Sequence, residues 1–178
     1  VSALPAYRTP VREEWIDYNG HLSEAYYVLV FGFATDQVME RIGLGPVARE
    51  KAGASLYTVE AHVRYLQEVP RGADLEVTTT IAGRAAKKLH LAHEMRVGGE
   101  LVATEEVLCL HVAGEPARAT AFPAEVAARI AEIVTPTDVA DGPAGADGPE
   151  GPAGSDGPEG PGGPDGSAPA WLGRAIRI

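Results

Sequence analysis

Five consecutive residues, Asp17-Tyr18-Asn19-Gly20-His21, bring a carboxylate, an amide and an imidazole together in one short stretch. Gly20 lets the backbone take a positive φ and lets a ligand come close. Ser23 and Glu24 follow at once, a cap residue and a first-turn acid of the kind that open a helix. The first N–H groups of a helix have no intrahelical partner, so they can hold an anion or polarise a carbonyl. A carboxylate beside such donors is the minimum equipment for acyl transfer from a thioester. The N–H groups stabilise the oxyanion, and the carboxylate attacks the carbonyl or deprotonates a water. The competing role is purely local: Asp and Asn beside Gly also form Asx turns, in which their side chains serve only the backbone.

The helix that follows has to position this cluster. It is expected from Ser23 to about Ile42, and Ala25 to Ala34 reads AYYVLVFGFA. A helix apolar on all sides is expected to be enclosed over most of its surface. Polar residues return at Asp36, Gln37, Glu40 and Arg41, and Gly43, Gly45 and Pro46 end the element. Gly32 in mid-helix costs about 1 kcal/mol relative to Ala. The expected return is close approach of a strand backbone or a ligand.

A short strand is predicted over 7–14, ahead of the loop, and a link over 48–53 after the helix. Strands follow over 55–69, 73–85, 87–97 and 100–112, with turns at Pro70-Arg71-Gly72 and Gly98-Gly99, then a helix over 124–133. Alternation along 55–69 places Thr58, Glu60 and His62 on one face, and Tyr57, Val59 and Tyr65 on the other. Glu60 and His62 then form a possible base and orienter pair, with Thr58 beside them. One buried helix before a meander of antiparallel strands is an α+β layout. The architecture that satisfies it is the hotdog fold, a curved antiparallel sheet wrapped around one long central helix. A single copy leaves a sheet edge unprotected, so a homodimer or homotetramer is expected.

The 178 residues are 45 % hydrophobic and 22 % charged, the composition of an ordinary soluble globular protein. The net charge of -10 is uneven: seven acids lie from Asp138 to Asp165 without a Lys or Arg among them, which leaves about -3 for the rest. An acidic chain without a basic stripe is a poor ligand for nucleic acid or an anionic membrane. The single cysteine, Cys109, lies in the apolar run EVLCLHV and reads as a buried thiol. It permits no intrachain disulfide and fits a cytoplasmic location, as does the lack of an apolar run able to span a bilayer.

From Gly142 to Gly166 glycine recurs at every third position, mostly followed by Pro. That is the collagen triplet pattern. The triplets are few, and their acids have no Lys or Arg to pair with across chains. A disordered acidic linker is therefore expected rather than a trimeric stalk. Folded composition returns from Ala170 to Ile178, AWLGRAIRI, read as a short C-terminal strand docking back on the core. The expected organisation is a catalytic domain over 1–134, a linker over 135–169 and the terminal strand over 170–178.

The stretch W-I-D-Y-N-G-H-L with its Tyr-rich helix resembles the acyl-CoA thioesterases of the 4-hydroxybenzoyl-CoA thioesterase-like hotdog group. D-Y-N-G-H, Y-T-V-E-A-H-V-R-Y-L, A-T-E-E at 103–106 and the closing G-R-A-I-R-I are most similar to the betainyl-CoA thioesterases of carnitine and betaine metabolism. Some of those are fused to an L-carnitine dehydrogenase, which suits a chain that starts with Val1. The resemblance implies hydrolysis of a small acyl-CoA, with Asp17 as nucleophile or general base and a backbone donor near residues 20–23. It gives Asn19 and His21 to the catalytic loop. Glu60 and His62 are carried as further catalytic candidates, and Tyr18, Gly20, Tyr26, Tyr57 and Thr58 as substrate-binding ones. A quaternary ammonium acyl group would call for an aromatic cage, for which Trp15, Tyr18, Tyr26, Tyr27 and Tyr57 are available. Arg64, Arg84, Lys87 and Lys88 are candidates for the CoA phosphates.

His90, His93 and His111 read as structural. No His, Cys or Asp spacing reads as a metal site, and no cofactor is expected beyond the CoA that the substrate carries. Two other readings use the same fold. Hotdog enoyl-CoA hydratases carry D-x-N-P-x-H before the helix, one residue longer than D-Y-N-G-H. A hotdog domain with a triplet tail could also be a non-catalytic acyl-CoA-binding or assembly module.

Overall fold

A computed structural model describes residues 4–133. The triplet segment and the closing Arg-Ala-Ile-Arg-Ile, with the linker and terminal-strand expectations, lie outside those residues. Helix α1 (Glu24–Ile42) buries Tyr27, Val30, Phe31, Ala34, Val38 and Ile42, a stripe of three- and four-residue spacings that covers one side of a helix. Gly43 ends it in the left-handed region at φ 88, and the Leu44 N–H returns to the Met39 carbonyl at 2.8 Å.

The stripe lies on a curled sheet of β1 (Tyr7–Pro10), β2 (Ser55–Tyr65), β3 (Asp74–Arg84), β4 (Lys88–Val97), β5 (Glu100–Ala113) and β6 (Arg118–Ala119). The order is β1-β3-β4-β5-β2, every pairing is antiparallel, and β6 adds to β5 beyond the end of β4. Gly98 and Gly99, at φ 59 and 89, make the tight β4–β5 turn. Helix α3 (Ala124–Ile133) closes the far end of the core with Val126, Ile130 and Ile133.

Two apolar clusters fill the space between helix and sheet. One gathers around Trp15, Phe31 and Met95, the other around Val38, Leu91 and Ile130. A polar layer divides them. His93 is fully buried, with Thr35 Oγ1 at 3.0 Å from Nε2, Thr79 Oγ1 at 2.9 Å from Nδ1, and the Phe31 ring stacked on the imidazole. Antiparallel register puts Thr79 and Glu105 directly opposite His93 on its two neighbouring strands, and Glu105 Oε2 is 3.9 Å from Nε2. Burial pushes His93 down to about 3 and Glu105 up to about 7, because both charged forms lose water.

Several local expectations change. The link over 48–53 is a helix, α2 (Pro46–Ala52), with Pro46 in its first turn after Gly45. The strand over 7–14 is β1 followed by a 3-10 turn at Glu13–Trp15. The strand over 55–69 stops at Tyr65. A bulge between Thr58 and Glu60 shifts its register, so strict alternation fails there. Thr58 pairs with Cys109 of the core, while Glu60 and His62 pair with Leu108 and Glu106. Thr58 therefore leaves the face that Glu60 and His62 share.

Nor is α1 enclosed all round. Val28 and Leu29 remain 42 % and 40 % exposed, and a Cβ on Gly32 would meet nothing within 4 Å. Among the described residues no strand backbone comes within 4 Å of that position. Among the described residues no helix is long and apolar enough to cross a membrane.

Candidate active site

The loop before α1 is closed by its own acid. Asp17 Oδ1 accepts the Asn19 backbone N–H at 2.8 Å and the His21 N–H at 3.4 Å, and Oδ2 accepts the Asn19 side-chain amide at 3.3 Å. Backbone bonds from the Asp17 N–H to the His21 carbonyl and from the Gly20 N–H to the Asp17 carbonyl complete the turn, with Gly20 at φ 85. Desolvation raises the Asp17 carboxyl, but the Asn19 and His21 N–H groups and the Asn19 amide outweigh it. The acid is held below its ordinary range and is ionised at neutral pH. This is the Asx-turn geometry that the residue order allows, with the carboxylate still facing a cleft.

Two further bonds anchor the loop. The Leu22 N–H donates to the Val69 carbonyl at 2.9 Å, and the Ser23 N–H to the Trp15 carbonyl at 3.0 Å. The N–H groups of residues 20–23, among which a backbone donor is expected from the sequence, thus all have partners within the protomer fold. The Tyr26 N–H turns back to the Ser23 carbonyl at 2.9 Å. The Glu24 and Ala25 N–H groups open α1 with no backbone partner among the described residues. Ser23 holds the cap position, but its hydroxyl turns to Glu24 Oε2 at 3.3 Å rather than to the backbone.

A cleft of about 370 Å³ opens at this junction. Asp17, Asn19, His21 and Leu22 line it from the loop, Glu24 and Tyr27 from α1, and residues 65–68 from the end of β2 and the segment after it. His21 Nε2 is 3.5 Å from Glu68 Oε2. Tyr27 donates its hydroxyl to the Gln67 carbonyl at 3.2 Å and meets the Tyr65 ring edge-on at 5.3 Å. The Tyr65 hydroxyl in turn reaches the Glu24 carbonyl at 3.4 Å.

Of the residues singled out from the sequence, the fold brings Asp17, Asn19 and His21 to the cleft, with Gly20 in their turn. Tyr18 is 97 % exposed at the loop tip. Tyr26 stacks on Trp15 at 5.7 Å and packs against the core. Tyr57 is half-exposed beside Leu110, and the Thr58 hydroxyl lies 3.9 Å from Cys109 Sγ. Glu60 and His62 are exposed on β2 and do not line the cleft. Arg64, Arg84, Lys87 and Lys88 do not line it either. Cys109 is fully buried, and that burial raises its thiol to about 11, which suits packing and not attack.

Sequence reasoning passed over Tyr65, Gln67 and Glu68 as site residues. Their place depends on the Leu22–Val69 bond, which joins segments far apart in the chain, and no local spacing marks it. Among the described residues no group of three or more His, Cys, Asp or Glu could hold a metal ion.

Residues 11–130 match the model of the thioesterase-like superfamily. A betainyl-CoA thioesterase of Pseudomonas aeruginosa is 44 % identical over 129 residues, 71 % of this chain and 81 % of that protein. An Agrobacterium fabrum protein named L-carnitine dehydrogenase/betainyl-CoA thioesterase is 44 % identical over 121 residues, 67 % of this chain. The match covers only 25 % of that longer relative. Among solved structures, a Staphylococcus aureus protein in complex with CoA superposes with a TM-score of 0.72 at 27 % identity, over 81 % of this chain and 93 % of that one. The chain belongs to the thioesterase-like superfamily, as an acyl-CoA thioesterase of the hotdog fold.

Proposed function

We propose that the chain hydrolyses a small acyl-CoA, betainyl-CoA foremost, to the free acid and CoA. The observation that carries the site assignment is the meeting of an ionised Asp17 with the open start of α1 at one cleft. The thioester carbonyl lies with its oxygen toward the Glu24 and Ala25 N–H groups, which take the charge of the oxyanion. Asp17 either attacks the carbonyl carbon or removes the proton of an attacking water. Asn19 and His21 hold the carboxylate in place through their N–H groups. The reaction needs no cofactor beyond the CoA of the substrate. The acyl group is taken from the name of the Pseudomonas relative, and the Agrobacterium name supports a setting in carnitine breakdown, with an L-carnitine dehydrogenase as fused or separate partner.

The working unit is an even homo-oligomer in the cytoplasm. Support comes from two surfaces of the single protomer: the edge strand β2, with Tyr57 and Val59 47 % and 53 % exposed, and the apolar back of α1. Edges of this kind are normally covered.

Thiol release across short, branched, aromatic and betainyl thioesters tests the activity. Small acyl-CoAs, betainyl-CoA among them, should be hydrolysed, and Asp17→Asn should cut release about a thousandfold. Release from none of them would favour a binding module, and loss of enoyl absorbance from crotonyl-CoA would favour a hydratase.

A further inference from the structure

The cleft has an unusual charge for an enzyme of CoA esters. Asp17, Glu24 and Glu68 line it, and among the described residues no Lys or Arg does. Coenzyme A carries several phosphate charges, and three carboxylates around one opening repel them. The phosphates must therefore lie elsewhere, and the cleft is left for the acyl group. Two tyrosines, Tyr27 and Tyr65, supply its aromatic wall. Their rings are fixed by the edge-on contact and by hydroxyls bonded to backbone carbonyls. Both phenols are raised, first by burial and then by the surrounding acids: Glu68 and Asp17 at Tyr27, Glu24 and Glu105 at Tyr65. The negative field of the acids thus reaches the rings. An aromatic face inside a negative field attracts a soft cation that cannot donate hydrogen bonds.

We propose that Glu24, Glu68 and Tyr65 are specificity-determining residues that select a quaternary ammonium acyl group in this cleft, with Tyr27 as the buried support of Tyr65. The inference rests on the thioesterase reading and on Asp17 marking the reacting carbonyl. The carboxylates compensate the fixed charge of the acyl group through space, and the Tyr65 ring packs against its methyl groups. Neutral and anionic acyl groups lose the first term and, if anionic, meet repulsion. None of the three residues was assigned to substrate by the sequence pattern.

The test compares betainyl-CoA with 3,3-dimethylbutyryl-CoA, in which a carbon replaces the nitrogen and the shape is kept. The ratio of kcat/KM for the two thioesters, measured on the same protein, cancels general damage from a substitution. The wild-type ratio should favour betainyl-CoA about a hundredfold, and Glu24→Gln, Glu68→Gln and Tyr65→Leu should each lower it about tenfold. Tyr65→Phe, which keeps the ring, should retain most of the preference. A wild-type ratio near one overturns the proposal while leaving the thioesterase reading intact. A high ratio that survives all three substitutions overturns the residue assignment. If neither ester is hydrolysed, the small-acyl substrate reading on which the proposal rests fails. Calorimetric binding of the two esters to Asp17→Asn then still decides the cation preference, with equal affinities counting against it.

Discussion

The Asn19 backbone N–H donates to Asp17 Oδ1 at 2.8 Å, so the candidate catalytic acid also closes the loop that presents it. Loss of charge and loss of the loop must therefore be separated. Asp17→Asn keeps an acceptor oxygen and removes the charge, whereas Asp17→Ala removes both. Thiol release should fall about a thousandfold in either variant. Only the Ala variant should also lose stability, from the vacated N–H bonds. Melting curves beside the kinetics would show the split. An Asp17→Asn enzyme of undiminished kcat/KM would remove Asp17 from the chemistry.

The same bonds set the pH profile. Desolvation raises the Asp17 carboxyl, and the Asn19 and His21 donors more than reverse this, leaving it below 3.8. The ionised form is the active one, so rate rises with pH through that low value and is then level. The acid limb of kcat/KM should lie below the ordinary carboxylate range. Asn19→Ala removes the amide bond to Oδ2 and should move the limb to higher pH. A limb unmoved by Asn19→Ala would mean that another group governs it.

The parts of this protein legible in its sequence were those set by local pattern. The apolar run of α1, the glycine turn at Gly98-Gly99 and the Asp17–His21 cluster each announce themselves within a few residues. Their assembly into a helix on an antiparallel sheet followed from the small number of ways to cover such a helix. What escaped depended on a single inserted residue or on a distant pairing. The bulge beside Val59 changes which side chains of β2 share a face, and alternation alone has no means of placing it. Tyr65 and Glu68 reach the cleft because Val69 and Pro70 pair with Leu22 and His21. The exposed back of α1 misled for a different reason: an apolar residue left on the surface and one facing the core look alike in a sequence.

That apolar back gives a prediction about assembly. Val28 and Leu29 on α1 and Val59 on β2 are exposed apolar side chains on two surfaces of one protomer. Leu29→Glu and Val59→Lys each place a charge where a second copy would exclude water, and charge on an edge strand opposes pairing. Sedimentation should show the wild type as an even oligomer, and each variant as a smaller species. A wild type that sediments as a monomer would sink the even assembly, and variants that keep its size would place the interface elsewhere.

The polar layer inside the core makes stability depend on pH in two opposing ways. Glu105 has a folded value of about 7 against 4.5, through burial. Its contribution is fully present below 4.5 and is lost as pH rises through about 7. His93 is lowered from 6.5 to about 3, also by burial. Its contribution is present above 6.5 and is lost as pH falls toward 3. Between 4.5 and 6.5 the two slopes oppose, so the wild type should change little in stability there. Glu105→Gln removes one slope. Its unfolding free energy should rise with pH across that interval, and at pH 8 it should exceed the wild type by on the order of 3 kcal/mol. Urea unfolding at several pH values reads both effects. If Glu105→Gln instead weakens the protein at pH 8, the ionised Glu105 has a compensating partner, and the layer is stabilising in its charged form.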